Sequence, residues 1–250
     1  MPKLRYLNLR FSNRLFPWEA PQFRAAVIEA TRRQSSLFHN HRPPDGFEYR
    51  YPLIQYKVDQ RKACIICLNE GVDDIHYLLQ ERQLPLRIGR RMEQFEIENV
   101  ELDHFQVQAW QARFHYSLLS WQALNQENYH AYRRLETEVE RLQFLEALLR
   151  SHLLAFATGI GWAAEDQLNA RITRFKEEKW LSYKGKKVLA FTLNFSSNVS
   201  LPDYIGLGKG VSVGFGSVKR FGGVERLDNR PIHVKAVMEP QFSEPEKTFN

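Results

Sequence analysis

The chain has 250 residues, 43% of them apolar and 26% charged, enough to bury one large core or two of ~100–125 residues each and too apolar for global disorder. No run of eighteen apolar residues occurs, and the start, MPKLRYLNLRF, lacks the apolar block and cleavage site of a signal peptide, which excludes a spanning helix and makes a leader unexpected. The net charge of +6 neither requires nor excludes a polyanionic partner, but it is uneven: +7 over residues 1–91, −7 over 92–170, +7 over 171–226 and −1 over the last 24.

In chain order, Leu7, Leu9 and Phe11 alternate with Tyr6, Asn8 and Arg10, the pattern of a strand. Phe23, Ala26, Val27 and Ala30 follow at helical spacing, predicting a helix over about 19–34. The stretch SSLFHNHRPPDG reads as a loop. Residues 47–58 and 63–68 read as a hairpin, 72–81 as a short helix, and one strand is expected between Leu86 and Val100. That order, β-α-β-β-α-β, is ferredoxin-like, with both helices on one face of a four-stranded sheet.

The second half repeats the order. A strand is expected over 107–119, and one long helix is marked by Leu135, Val139, Leu142, Leu145, Leu149 and Leu153, ending near Gly159 as a left-handed cap. A hairpin over 180–195 turns at Gly185, residues 198–210 hold at most a short helix, and 211–221 reads as the last strand. The expected class is α+β, two tandem ferredoxin-like (RRM-like) domains over 1–103 and 104–223, with an irregular extension over 224–250.

Cys64 and Cys67 are the only cysteines. They stand in an apolar strand, where i and i+3 point to opposite faces, so buried thiols are expected rather than a metal or redox pair. So few cysteines fit a cytoplasmic protein. His39 and His41 lie in a polar loop between Arg32-Arg33 and Arg42, and an extended chain would point both imidazoles the same way, where they could move a proton near neutral pH. A solvated pair or a metal-binding His-x-His are the other readings. His76, His104, His115, His130, His152 and His233 read as structural. No carboxylate and histidine spacing resembles a metal centre, so neither metal nor cofactor is expected.

Seven of the thirteen glycines lie between 206 and 223. Gly206, Gly208, Gly210, Gly214 and Gly216 could leave amides free to meet phosphates, beside the cations Lys209, Lys219 and Arg220. The spacing fits neither a dinucleotide fingerprint nor a P-loop. An RNA-recognition strand is a closer match, but it would need stacking aromatics where Ser217 and Arg220 stand. A tight turn followed by a kinked strand is the structural alternative.

The run GLGKGVSVGFGSVK from Gly206 resembles the C-terminal glycine-rich signature of the CRISPR-associated endoribonucleases that cut precursor CRISPR RNA. The resemblance implies tandem ferredoxin-like domains and metal-independent cleavage of the repeat, leaving a 2′,3′-cyclic phosphate and a 5′-hydroxyl. It implies a general acid/base histidine after the first helix, which here is His39, with His41 second and Arg42 the nearest cation. It also implies precursor CRISPR RNA as partner, with other effector subunits, for a monomer or homodimer. A non-catalytic module that holds repeat RNA is the alternative reading.

Overall fold

The alternation at the start of the chain builds β1 (Lys3–Arg14). The structure, a computed structural model, describes residues 3–31, 50–80, 83–164, 168–183 and 185–226. A 3-10 turn at Pro17–Glu19 leads into α1 (Ala20–Thr31), which buries Phe23, Ala26 and Val27. β2 (Ile54–Asp59) and β3 (Lys62–Leu68) form the expected hairpin, followed by α2 (Glu70–Gln80). A second hairpin, β4 (Leu84–Ile88) with β5 (Arg91–Phe95), precedes β6 (Ile97–Gln106). The antiparallel order β2-β3-β1-β6 is that of a ferredoxin-like sheet.

The single strand expected between Leu86 and Val100 is therefore a hairpin plus a separate edge strand. β6 exposes almost every side chain, so no period of two marks it. The chain crosses from the first sheet to the second between Gln106 and Ala109.

The second half contains β7 (Ala109–Trp121), α3 (Gln126–Arg134), α4 (Glu138–Gly159), β8 (Ala170–Tyr183), β9 (Lys186–Val199) and β10 (Ser217–Arg226). Its order, β10-β7-β9-β8, is the same permutation. The second helix is replaced by an irregular connection from 200 to 216 with one 3-10 turn at Val211–Val213.

The expected long helix is α4, started by a Thr137–Glu140 capping box, and α3, capped by Asn125, is a further helix ahead of it; Val139 near the start of α4 is 63% exposed. Two local expectations are corrected. Gly159 ends α4 but is not left-handed; Gly161 is, at φ +76°. Gly159 is needed for space, since a Cβ there would sit 2.3 Å from Tyr51 Cβ. The last strand starts at Ser217, not Val211, because Gly210, Gly214 and Gly216 adopt positive φ and break it.

Two cores result. Leu7, Leu9, Phe11, Ile65 and Cys67 pack against α1 and α2. The opposite face of the same strands, Leu4, Tyr6, Ile66 and Leu68, joins the second core with Phe191, Leu193, Leu149 and Phe156. β1 and β3 are thus covered on both sides, and Cys64 and Cys67 are buried free thiols. Burial pushes the Cys64 thiol up to about 11, which makes it a poor nucleophile. No described helix is long and apolar enough to cross a membrane.

Candidate nucleic-acid interface

His39, His41 and Arg42 lie outside the described residues, as does the extension beyond Arg226. The glycine-rich segment is fully described, and it sits on the seam between the two halves. Period two along β2 turns Ile54 and Tyr56 toward the helices, leaving Gln55 and Lys57 on the other face, against the segment from 205 onward.

The contacts across the seam are specific. The Gly206 amide donates to Gln55 Oε1 (2.9 Å), the Tyr51 hydroxyl donates to the Gly206 carbonyl (2.8 Å), and Gln55 Nε2 donates to the Tyr51 oxygen (3.0 Å). One triangle of bonds therefore holds Gly206 to the first domain. On the other side, the Lys209 amide donates to the Gln122 carbonyl (3.0 Å) and the Gly216 amide to the Ser120 carbonyl (3.2 Å). A Cβ at Gly208 would meet the Trp121 indole at 2.7 Å, so glycine is what lets the loop lie on that ring.

The amides of Gly206, Lys209, Gly214, Phe215 and Gly216 all donate to protein acceptors. These five are not a free phosphate cradle; the glycines give the loop its shape and its closeness to both domains. Phe215 is likewise an anchor, packed edge-on against Tyr183 at 5.3 Å.

The cations are placed by aromatic rings. Tyr204 has Arg10 of the first sheet at 6.0 Å and Lys219 of the second at 5.6 Å from its centroid. Arg10 also pairs with Asp59 (2.9 Å). Arg220 lies 4.8 Å over Phe114, and its amide donates to Asp203 (2.6 Å). Lys219 and Arg220 are both half-buried, and the ring contacts hold their charged heads in place. Arg10 and Lys219 thus meet at Tyr204, next to the loop, while Arg220 is held separately on Phe114 of the second sheet.

Sequence reasoning missed Tyr51, Gln55 and Lys57. Lys57 is 2% exposed, and its Nζ has no hydrogen-bond partner among the described residues. Burial lowers its pKa to about 7. The unfolded chain keeps its lysine protonated up to the ordinary value near 10.5, so native stability should rise with pH between about 7 and 10.5 and be lowest below 7. Lys57→Met is accordingly expected to stabilise the fold by about 1–4 kcal/mol at pH 6. That advantage should shrink progressively above pH 7. Urea denaturation across this range checks it, and a pH-independent difference would contradict it.

Among the remaining histidines, His152 accepts the Trp121 indole N–H at 3.2 Å. Burial, then Lys209, hold it down to about 4, so it is a neutral structural acceptor. His115 faces Glu225 at 3.5 Å on the open face of the second sheet. Among the described residues, no three His, Cys, Asp or Glu side chains converge as metal ligands.

Comparisons with known proteins cover both halves. The family model described as the Cas6b N-terminal domain matches residues 2–106, and that of the Cas6b C-terminal domain matches 108–221. A crystal structure of Cas6b is similar over 88% of this chain and 100% of its own, with a TM-score of 0.79 at 26% identity. A second, of a CRISPR RNA processing endoribonuclease Cas6b, reaches 0.68 at 22% identity over 88% of this chain and 100% of its own. An uncharacterized protein of Methanocaldococcus jannaschii is 35% identical over 100 residues, 40% of this chain and 67% of that one.

Proposed function

The chain belongs to the Cas6b family of CRISPR RNA processing endoribonucleases, and we propose that it cuts the repeat of precursor CRISPR RNA without a metal ion. A 2′-hydroxyl attacks the adjacent phosphorus. The new 2′-O–P bond replaces the P–O5′ bond, leaving a 2′,3′-cyclic phosphate and a 5′-hydroxyl, and no water is consumed. A proton leaves the 2′-oxygen and one reaches the 5′-oxygen. His39 is the proton-transfer group, His41 the second candidate, and Arg42 steadies the charge on the phosphorane.

The observation that supports this reading best is the seam. The glycine-rich loop is bonded to both domains there, with Arg10 and Lys219 on one tyrosine and Arg220 on Phe114 of the second sheet. Such fixed cations suit a polyanion. The two +7 segments contribute all three cations and also the histidine loop. The enzyme works in the cytoplasm as a monomer or homodimer, with repeat RNA and other effector subunits as partners.

The test is a labelled CRISPR repeat RNA, incubated in excess EDTA. Cleavage is expected, and it should vanish when the nucleotide 5′ of the scissile phosphate is 2′-deoxy. Undiminished cleavage of the deoxy substrate would overturn the mechanism. Tight binding without product would mark a repeat-RNA-binding module instead.

A further inference from the structure

At the entrance to α1 the chain exposes an aromatic stack that neither core uses. Phe16 and Trp18 lie ring on ring, with centroids 4.3 Å apart and planes 10° apart. Trp18 is 67% exposed and Phe16 38%. The Arg61 guanidinium sits 4.3 Å over the Phe16 ring. Two groups that close to one ring must occupy opposite faces, so the order is Arg61, Phe16, Trp18, and the outer face of Trp18 is uncovered.

This stack is built and held before any ligand arrives. Pro17 stiffens the link between the two rings. The Phe16 amide donates to Glu19 Oε2 (2.8 Å), while the other Glu19 oxygen pairs with Arg91. The Leu15 amide donates to the Arg61 carbonyl (2.8 Å). Arg61 and Gln60 form the two-residue turn of the β2–β3 hairpin with φ of +65° and +48°, where Asn-Gly would be relaxed. The fold thus tolerates backbone strain where the guanidinium reaches Phe16.

The surroundings say what the stack fits. A Cβ on Gly214 of the glycine-rich loop would lie 3.6 Å from Ala20 Cβ, and Ala20 is two residues from Trp18. The first turn of α1, which follows the stack, therefore packs against the loop on the seam. Glu19 and Lys62 are engaged by Arg91 and Glu98, whereas Arg61 has no ion-pair partner among the described residues. The sheet positions where RNA-recognition strands carry stacking rings hold Ser217 and Arg220 here. A flat, cation-backed, preordered ring with one free face is what an unpaired nucleobase stacks upon.

We propose that Phe16, Trp18 and Arg61 form a stacking platform for one unpaired base of the repeat RNA. The inference rests on RNA being the ligand of the seam, not on the chemistry of cleavage. The platform positions RNA and does not react with it.

The test uses the full chain and the same labelled repeat, with folding of each variant verified by thermal melting. Trp18→Ala is expected to weaken repeat binding about 5- to 150-fold, with the single-turnover rate at saturating protein unchanged, and Trp18→Phe should restore most of the affinity. Repeat RNA should quench tryptophan fluorescence in the wild type more than in Trp18→Phe. Among single abasic substitutions in the unpaired nucleotides, one should reproduce the loss and be silent in Trp18→Ala. Unchanged RNA affinity in Trp18→Ala overturns the platform, as does a loss that no abasic position matches. A change of oligomeric state at constant RNA affinity overturns it too and makes the stack a protein contact. If the wild type binds repeat RNA through Trp18 yet never cuts it, the endonuclease reading fails and the platform stands. If the wild type cuts and Trp18→Ala binds normally, only the platform fails.

Discussion

Replacing His39 with alanine is expected to slow single-turnover cleavage of repeat RNA by ~10²–10⁴-fold, the usual worth of positioned acid–base help, without weakening RNA binding. The argument is one of protons. The attacking 2′-hydroxyl must lose one and the departing 5′-oxygen must gain one, and no metal-bound hydroxide does this in the proposed reaction. His39 and His41 follow α1 in the sequence, within a basic segment. In the proposed reaction the glycine loop and its cations serve to bind and orient RNA, so their side chains would act on affinity and alignment. His41→Ala is expected to have the smaller effect, and Arg42→Ala a partial one through lost charge stabilisation. Added imidazole should restore part of the rate to His39→Ala if the lost group is a proton carrier. A slow His41→Ala and a normal His39→Ala would exchange the two roles. Normal rates in both variants would remove the histidine loop from the mechanism.

The elements legible in the sequence are those whose burial is one-sided or complete. β3 reads as a continuous apolar run because both its faces are covered. β7 alternates because Phe114, Tyr116 and Leu118 face the core. Edge strands defeat the same method: β6 and much of β8 are exposed on both faces and carry charged residues throughout. α3 buries only Tyr132 and has no apolar stripe to find. The glycine loop is visible as composition, yet its partners are not. Gln55 and Lys57 look like the wet face of a half-buried strand, and they are buried because a loop 151 residues downstream of Gln55 lies over them. Local pattern carries no information about such a cover. The Phe16–Trp18 stack is equally silent, since two aromatics flanking a proline read as ordinary helix entry.

The glycines divide into classes by physical demand, and a graded stability series should follow. At Gly216 the backbone is left-handed, φ +62°, and a Cβ would lie 1.8 Å from the Leu207 carbonyl oxygen. That oxygen belongs to backbone, not to a flexible side chain. Moving it away would disturb the Leu207 amide bond to the Gly216 carbonyl and the neighbouring Gly206–Ser217 bridge. Gly216→Ala therefore incurs left-handed strain of about 1 kcal/mol plus overpacking of about 1–3 kcal/mol. For a chain of this size the sum lowers Tm by about 4–16 °C. Gly222 is also left-handed, φ +68°, but open space surrounds it, so Gly222→Ala bears the strain alone. Gly223 has neither positive φ nor a neighbour within 4 Å, so Gly223→Ala should fall within about 0.5 kcal/mol of wild type. Thermal melts of the three variants separate the contributions of conformation and space. Because Gly216 and Gly206 share the Leu207 turn, Gly216→Ala should also weaken repeat-RNA binding at temperatures where it remains folded, whereas Gly223→Ala should not. A Gly216→Ala protein as stable as Gly223→Ala would mean that the loop does not lie on Leu207, and the seam built upon it would have to be redrawn.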